Sequence, residues 1–144
     1  MKLIKYFISI IILTIFSTNV FAASETIEML NKQGKESMVY SKKIVKINVG
    51  DTVFWKATDK GHNVEFIKGG VPEGVEKFKT KYNKDAEYTF NIPGIYAYWC
   101  TPHKNMGMIG FVVVGNDKSN LEAIKKIRFS ARSKKIAPGL IESL

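Results

Sequence analysis

The fold predicted by this sequence is an all-β sandwich or barrel with helices at its C-terminal end, and three observations predict it. Segments of about five residues, rich in β-branched and aromatic side chains, recur at spacings near ten. Gly, Pro, Asn and Asp punctuate the gaps between them. An apolar spacing of three, the mark of a helix, replaces this pattern only near the end of the chain.

Each element follows in order. Thr26–Leu30 is the first β segment, and Asn31-Lys32-Gln33-Gly34 reads as its turn. Met38–Tyr40 is short. Ile44–Val49 alternates apolar and polar residues before the turn Gly50-Asp51, and Thr52–Ala57 is aromatic and β-branched. Asn63–Ile67 follows Gly61-His62, and Gly69-Gly70-Val71-Pro72 breaks the chain. Glu87–Asn91 precedes Pro93-Gly94, Ile95–Trp99 alternates with aromatics, and Phe111–Val114 is apolar throughout. Ser119 with Glu122 three residues on is a capping-box pattern, and Leu121, Ile124 and Ile127 give an amphipathic helix of about two turns. A second helical piece is expected within Arg132–Leu144, with Pro138 in its first turn.

Residues 1–22 read as a secretory signal peptide rather than as part of the domain. Lys2 and Lys5 start it, Tyr6–Phe16 is almost wholly apolar, and Val20-Phe21-Ala22 offers small residues at a cleavage point. The apolar run falls short of the roughly 20 residues that span a bilayer. Export with cleavage leaves one domain, 23–144, with 20 basic against 13 acidic side chains, a net charge of +7. The single Cys excludes an internal disulfide scaffold and any Cys-rich zinc or iron–sulfur site built from this chain alone. In an oxidising compartment that sulfur must be buried or held.

One cluster carries chemistry. Cys100 lies three residues before His103, and Met108 follows five residues later, between two β segments. His62, the only other His, sits in a turn upstream. A loop joining neighbouring strands turns three side chains toward one point, and a fourth reaches it from an adjacent strand end. Thiolate, two imidazoles and a weak thioether are the ligand set of a blue-copper electron-transfer site. Each ligand tolerates both oxidation states, so the site rearranges little when an electron arrives. A bound thiolate is also protected from oxidation.

Other chemistries fit less well. Structural zinc wants four firm ligands, and a thioether is a poor one. Haem attachment needs C-x-x-C-H, which is absent. A Cys100 nucleophile with a His base has no evident orienting partner or oxyanion hole. The lysines read as spread along the chain, and with export this argues against nucleic acid. A copper-holding or delivery protein of the same fold is the alternative to a carrier; the compact loop and few spare ligands favour the carrier.

The residues 23–144 resemble the pseudoazurins, small periplasmic cupredoxins. The resemblance runs from Glu28-Met29-Leu30-Asn31-Lys32 through Gly50-Asp51-Thr52-Val53, Thr58-Asp59-Lys60-Gly61-His62-Asn63-Val64-Glu65 and Pro93-Gly94-Ile95-Tyr96. It continues into Cys100-Thr101-Pro102-His103, Met106-Gly107-Met108 and Asn120-Leu121-Glu122-Ala123. It implies an eight-stranded Greek-key β-sandwich with two C-terminal α-helices, and one type 1 copper ion held by His62, Cys100, His103 and Met108. It further implies that Asn63 braces the ligand loop near the sulfur, that Pro102 helps close the site, and that Met38 lies close to the imidazoles. The implied docking face is an apolar patch around the edge of His103 with Pro102 and Met106, bordered by Lys32, Lys60, Lys79, Lys81 and Lys104. By the same resemblance the chain is a monomeric electron carrier and no enzyme. Its partners would be acidic-faced redox proteins: copper nitrite reductase, nitrous oxide reductase or a c-type cytochrome. Neither nucleic acid nor stable membrane association is expected. Three places depart from the resemblance. Trp99 stands where many pseudoazurins have Lys, Glu28 where some have His, and residues 129–144 match weakly.

Overall fold

Period-two alternation organises both sheets of this protein. A computed structural model describes residues 23–144, and the signal expected at 1–22 lies outside the described residues. One sheet contains β1 (Ser24–Gln33), β2 (Glu36–Tyr40), β4 (Thr52–Lys56) and β6 (Ala86–Thr89), in the order β2-β1-β4-β6. The other contains β3 (Ile44–Ile47), β5 (Glu65–Phe66), β7 (Gly94–Trp99) and β8 (Ile109–Val114), in the order β3-β8-β7-β5. The pairs β1–β4 and β3–β8 are parallel and the remaining pairs antiparallel. Two helices, α1 (Leu121–Lys125) and α2 (Ala131–Glu142), complete the architecture expected from the sequence.

Strands β7 and β8 are apolar on both faces because both faces are covered. Tyr96, Tyr98, Val112 and Val114 point into the core between the sheets, with Val53, Trp55, Phe66 and Phe90. Ile95, Ala97, Ile109, Phe111 and Val113 point the other way, onto a second core built with Ile124 of α1 and Ala137 of α2. The same parity carries past the strand ends. Cys100 and Met108 continue the inward row, and both lie in the inter-sheet core. Trp99 continues the outward row and packs, partly buried, against the second core. Gly110 makes this arrangement possible: a Cβ there would meet the Tyr98 ring at 2.4 Å. Tyr98 in turn packs edge-on against Tyr40, ring centroids 4.9 Å apart.

Several boundaries differ from the sequence expectation. β1 runs on through Asn31 to Gln33, and the turn shrinks to Gly34-Lys35, where Gly34 takes φ +59° as a two-residue hairpin loop requires. β5 keeps only Glu65 and Phe66; just before it the Val64 N–H donates to the Thr80 hydroxyl at 2.9 Å, and the Asn63 side chain is engaged by the ligand loop. The capping box at Ser119 does not form. Asn120 is the cap residue, and its amide instead brackets the backbone of Ile95, accepting from its N–H at 2.9 Å and donating to its carbonyl at 2.8 Å. α1 is therefore five residues long. α2 begins at Ala131, so Pro138 falls inside it rather than in its first turn. Contacts with the loop after His103 set that start, as described below. Among the described residues no helix is long and apolar enough to cross a membrane.

Candidate metal centre

Two strand ends and one turn bring the donors together. The β7–β8 ladder pairs Trp99 with Ile109, and the next step joins Cys100 N–H to the Met108 carbonyl at 3.0 Å. Both sulfur side chains thus start from one rung on the inner face. Between them a 3₁₀ turn, Thr101–His103, with Pro102 suiting its first positions, folds His103 back over the sulfur. His62 arrives from the segment preceding β5.

Three donor atoms converge. Nδ1 of His62 lies 3.1 Å from Nδ1 of His103, and the Cys100 sulfur lies 3.7 Å and 3.4 Å from them. A point equidistant from the three lies about 2 Å from each, the length of a transition-metal bond to imidazole nitrogen. Among the described residues this is the group of His, Cys and acidic side chains placed to hold an ion. Met108 is fully buried in the core that contains Cys100. The soft sulfur and the two imidazoles suit copper.

Hydrogen bonds prepare the donors. Nε2 of His62 donates to Oδ1 of Asn31 at 2.9 Å, which leaves Nδ1 unprotonated and facing the cluster. Burial, then the neighbouring His103, lowers the His62 pKa, with Asp59 opposing; burial lowers that of His103. Burial raises the Cys100 thiol, partly offset by N–H donors from Asn63 and His103. Burial thus disfavours the charged form of both imidazoles, and metal binding would release the thiol proton.

The ligand loop is braced at its Cys100 end. The β5–β7 register, continued outward, sets Asn63 opposite Thr101. Oδ1 of Asn63 accepts the Thr101 N–H at 2.8 Å, and Nδ2 donates to Thr101 Oγ1 at 3.0 Å. Thr101 Oγ1 donates to Glu65 at 2.8 Å, as does Trp99 Nε1 at 3.1 Å, while Lys79 pairs with Glu65 at 3.3 Å. Thr101, Trp99 and Lys79 hold the Glu65 carboxyl below its ordinary pKa against the upward push of burial.

The other expected residues distribute as follows. Pro102 and Met106 are exposed beside half-buried His103. Met38, half-buried against the core of Cys100 and Met108, faces Asn31 across the β1–β2 hairpin and takes φ +51°. Lys32, Lys60 and Lys81 are exposed. The charge of Lys79 is partly matched by Glu65. Lys104 stands over the Trp99 ring, 4.9 Å from its centroid. Sequence reasoning missed Asn31, Glu65 and Thr101 as site residues. Parity was a signal for the first: Ile27, Met29 and Asn31 share one face of β1, so a polar residue at the exposed end of that row follows two core residues.

A mononuclear copper site at the rim of two packed four-stranded sheets defines the cupredoxin class. The model of the family "Copper binding proteins, plastocyanin/azurin family" matches residues 27–115. The pseudoazurin of Paracoccus pantotrophus is 43% identical over 114 residues, 79% of each chain. That of Methylorubrum extorquens is 40% identical over 79% of this chain and 78% of its own. The crystal structure of pseudoazurin from Methylobacterium extorquens AM1 superposes with a TM-score of 0.80 at 37% identity, covering 83% of this chain and 98% of that one. The chain belongs to the copper-binding plastocyanin/azurin family and, within it, to the pseudoazurins, which are blue copper electron carriers and not enzymes.

Proposed function

We propose that this chain is exported to the periplasm and there, as a monomer, passes single electrons between redox proteins through a copper ion held by His62, Cys100, His103 and Met108. The observation that carries this reading is the convergence of two imidazole nitrogens and a buried sulfur at metal-bond spacing. Copper there supplies one-electron exchange between Cu(II) and Cu(I). The residues supply a site already shaped before metal arrives: Asn31 sets the His62 tautomer, Asn63 pins the start of the loop, and burial excludes water.

Half-buried His103, ringed by exposed Pro102 and Met106, is the electron port. Lys32, Lys60 and Lys81, with Lys79 and Lys104 in weaker roles, form a positive border that steers an acidic partner at long range. The small apolar contact then lets the partner leave quickly. Partners of this kind are copper nitrite reductase, nitrous oxide reductase and c-type cytochromes.

Adding Cu(II) to the purified protein tests the reading. An intense visible band from sulfur-to-copper charge transfer is expected, with a matching electron-spin-resonance signal and with Cys100 then resistant to thiol reagents. Cys100→Ser abolishes the band. A colourless protein, or the same band in that variant, refutes the assignment.

A further inference from the structure

The second half of the ligand loop is held by a part of the chain that contributes no ligand. Helix α2 starts against residues 104–107. The hydroxyl of fully buried Ser133 donates to the Lys104 carbonyl. The Arg132 N–H donates to the Asn105 carbonyl at 3.0 Å, and the Ser130 hydroxyl donates to Asn105 Oδ1 at 2.5 Å. Gly107 packs beneath the helix: a Cβ there would lie 3.3 Å from Ile136 and 3.4 Å from Arg132. At the first residue of the helix, Ala131 takes φ +47°, a conformation that non-glycine residues hold only where their surroundings enforce it. Ala137 in mid-helix and Leu144 just past its end sit in the outer core.

We propose that the first turn of α2 is a clamp on the copper loop, with Ser130 and Ser133 as positioning residues that fix the segment between His103 and Met108. Asn63 holds the loop at Thr101, and the clamp holds it from Lys104 to Gly107. Along this stretch Pro102, Lys104, Asn105 and Met106 are exposed and His103 is half-buried. His103 and Met108 then cannot move apart without breaking contacts of α2, so the loop keeps its shape with or without metal. This inference deepens the carrier reading, since a loop that does not relax suits a site that changes little on reduction, but it is testable on metal-free protein.

The test compares wild type with Ser130→Ala/Ser133→Ala and with Ser143→Ala. Ser143 caps the far end of α2, donating to the Gly139 carbonyl, and touches no part of the loop. The readout is the rate at which a small disulfide reagent labels Cys100 in metal-free protein at fixed pH, well below the melting temperature. Two ordinary hydrogen bonds lost from the closed loop raise the labelling rate about tenfold, equivalent to about 1.4 kcal/mol. Ser143→Ala stays within about twofold. Asn105→Ala, which removes the acceptor of Ser130 from the loop side and leaves α2 intact, raises the rate about threefold and decides the matter if the double variant does not fold. Loaded with Cu(II), the double variant shows a shifted charge-transfer band while Ser143→Ala matches wild type. An unchanged labelling rate, an equal rise in Ser143→Ala, or a band coincident with wild type overturns the clamp. A wild-type protein that fails to colour with copper would instead strike the carrier reading and leave the labelling result standing.

Discussion

Asn63→Ala should lower the stability of the metal-free protein by about 3 kcal/mol. The Asn63 side chain, fully buried, makes three hydrogen bonds: it accepts from Thr101 N–H at 2.8 Å and donates to Thr101 Oγ1 at 3.0 Å and to the Thr80 carbonyl at 3.3 Å. Alanine leaves the part-buried Thr101 N–H without a partner, a cost of about 1–3 kcal/mol, and forfeits two further bonds of about 0.5–1.5 kcal/mol each. For a domain of about 120 residues, with an unfolding entropy near 2.1 cal/mol/K per residue, the melting temperature falls by about 12 °C. Thermal melts and urea titrations of metal-free protein measure this directly. A Thr101→Ala variant and the double variant complete a cycle whose coupling, about 1 kcal/mol or more, reports the contact itself. A loss below about 1 kcal/mol in Asn63→Ala, or additive single variants, would show that this brace does not hold the loop.

Alkaline pH should unfold the protein. Burial pushes Tyr96 up to about 12 and raises Tyr40 and Tyr98 as well. A phenol whose folded pKa exceeds its unfolded value near 10 contributes stability in full below pH 10 and loses it as pH rises toward 12; urea midpoints that do not fall over this range would contradict the burial. Gly110→Ala should cost about 1–3 kcal/mol, because its Cβ would meet the Tyr98 ring at 2.4 Å; a denaturation curve matching wild type would show that Tyr98 relocates freely. Lys60→Glu with Lys81→Glu should slow association with an acidic redox partner, most at low ionic strength, and stopped-flow rates independent of salt and charge would remove both lysines from the docking face. Lys79→Gln should slow it less, since Glu65 already matches that charge.

Much of the site was legible because its ligands obey local rules. Cys100 and Met108 extend the strand parity of Tyr98 and Gly110, so strand alternation alone puts both sulfurs on the inner face, and His103 needs only the short turn between them. The strands were legible for the same reason: alternation and turn residues act over a few neighbours. The elements that were misplaced answer to distant partners. Asn120 gives its amide to Ile95 rather than to its own helix, and α2 starts where the ligand loop receives it, not where Pro138 would begin a helix. The side Trp99 takes is local parity again, but its hydrogen bond to Glu65 requires β5 to lie beside β7.

From residue order alone come the two-sheet class, the soft ligand set and its spacing, since periodicity and chemical type are properties of short stretches of chain. Only folding in three dimensions supplies the acceptor that orients His62, the Asn63–Thr101–Glu65 network and the seat of α2 on the loop. Each of these joins groups tens of residues apart, and a hydrogen bond acts on distance and angle in space, which no count along the chain records.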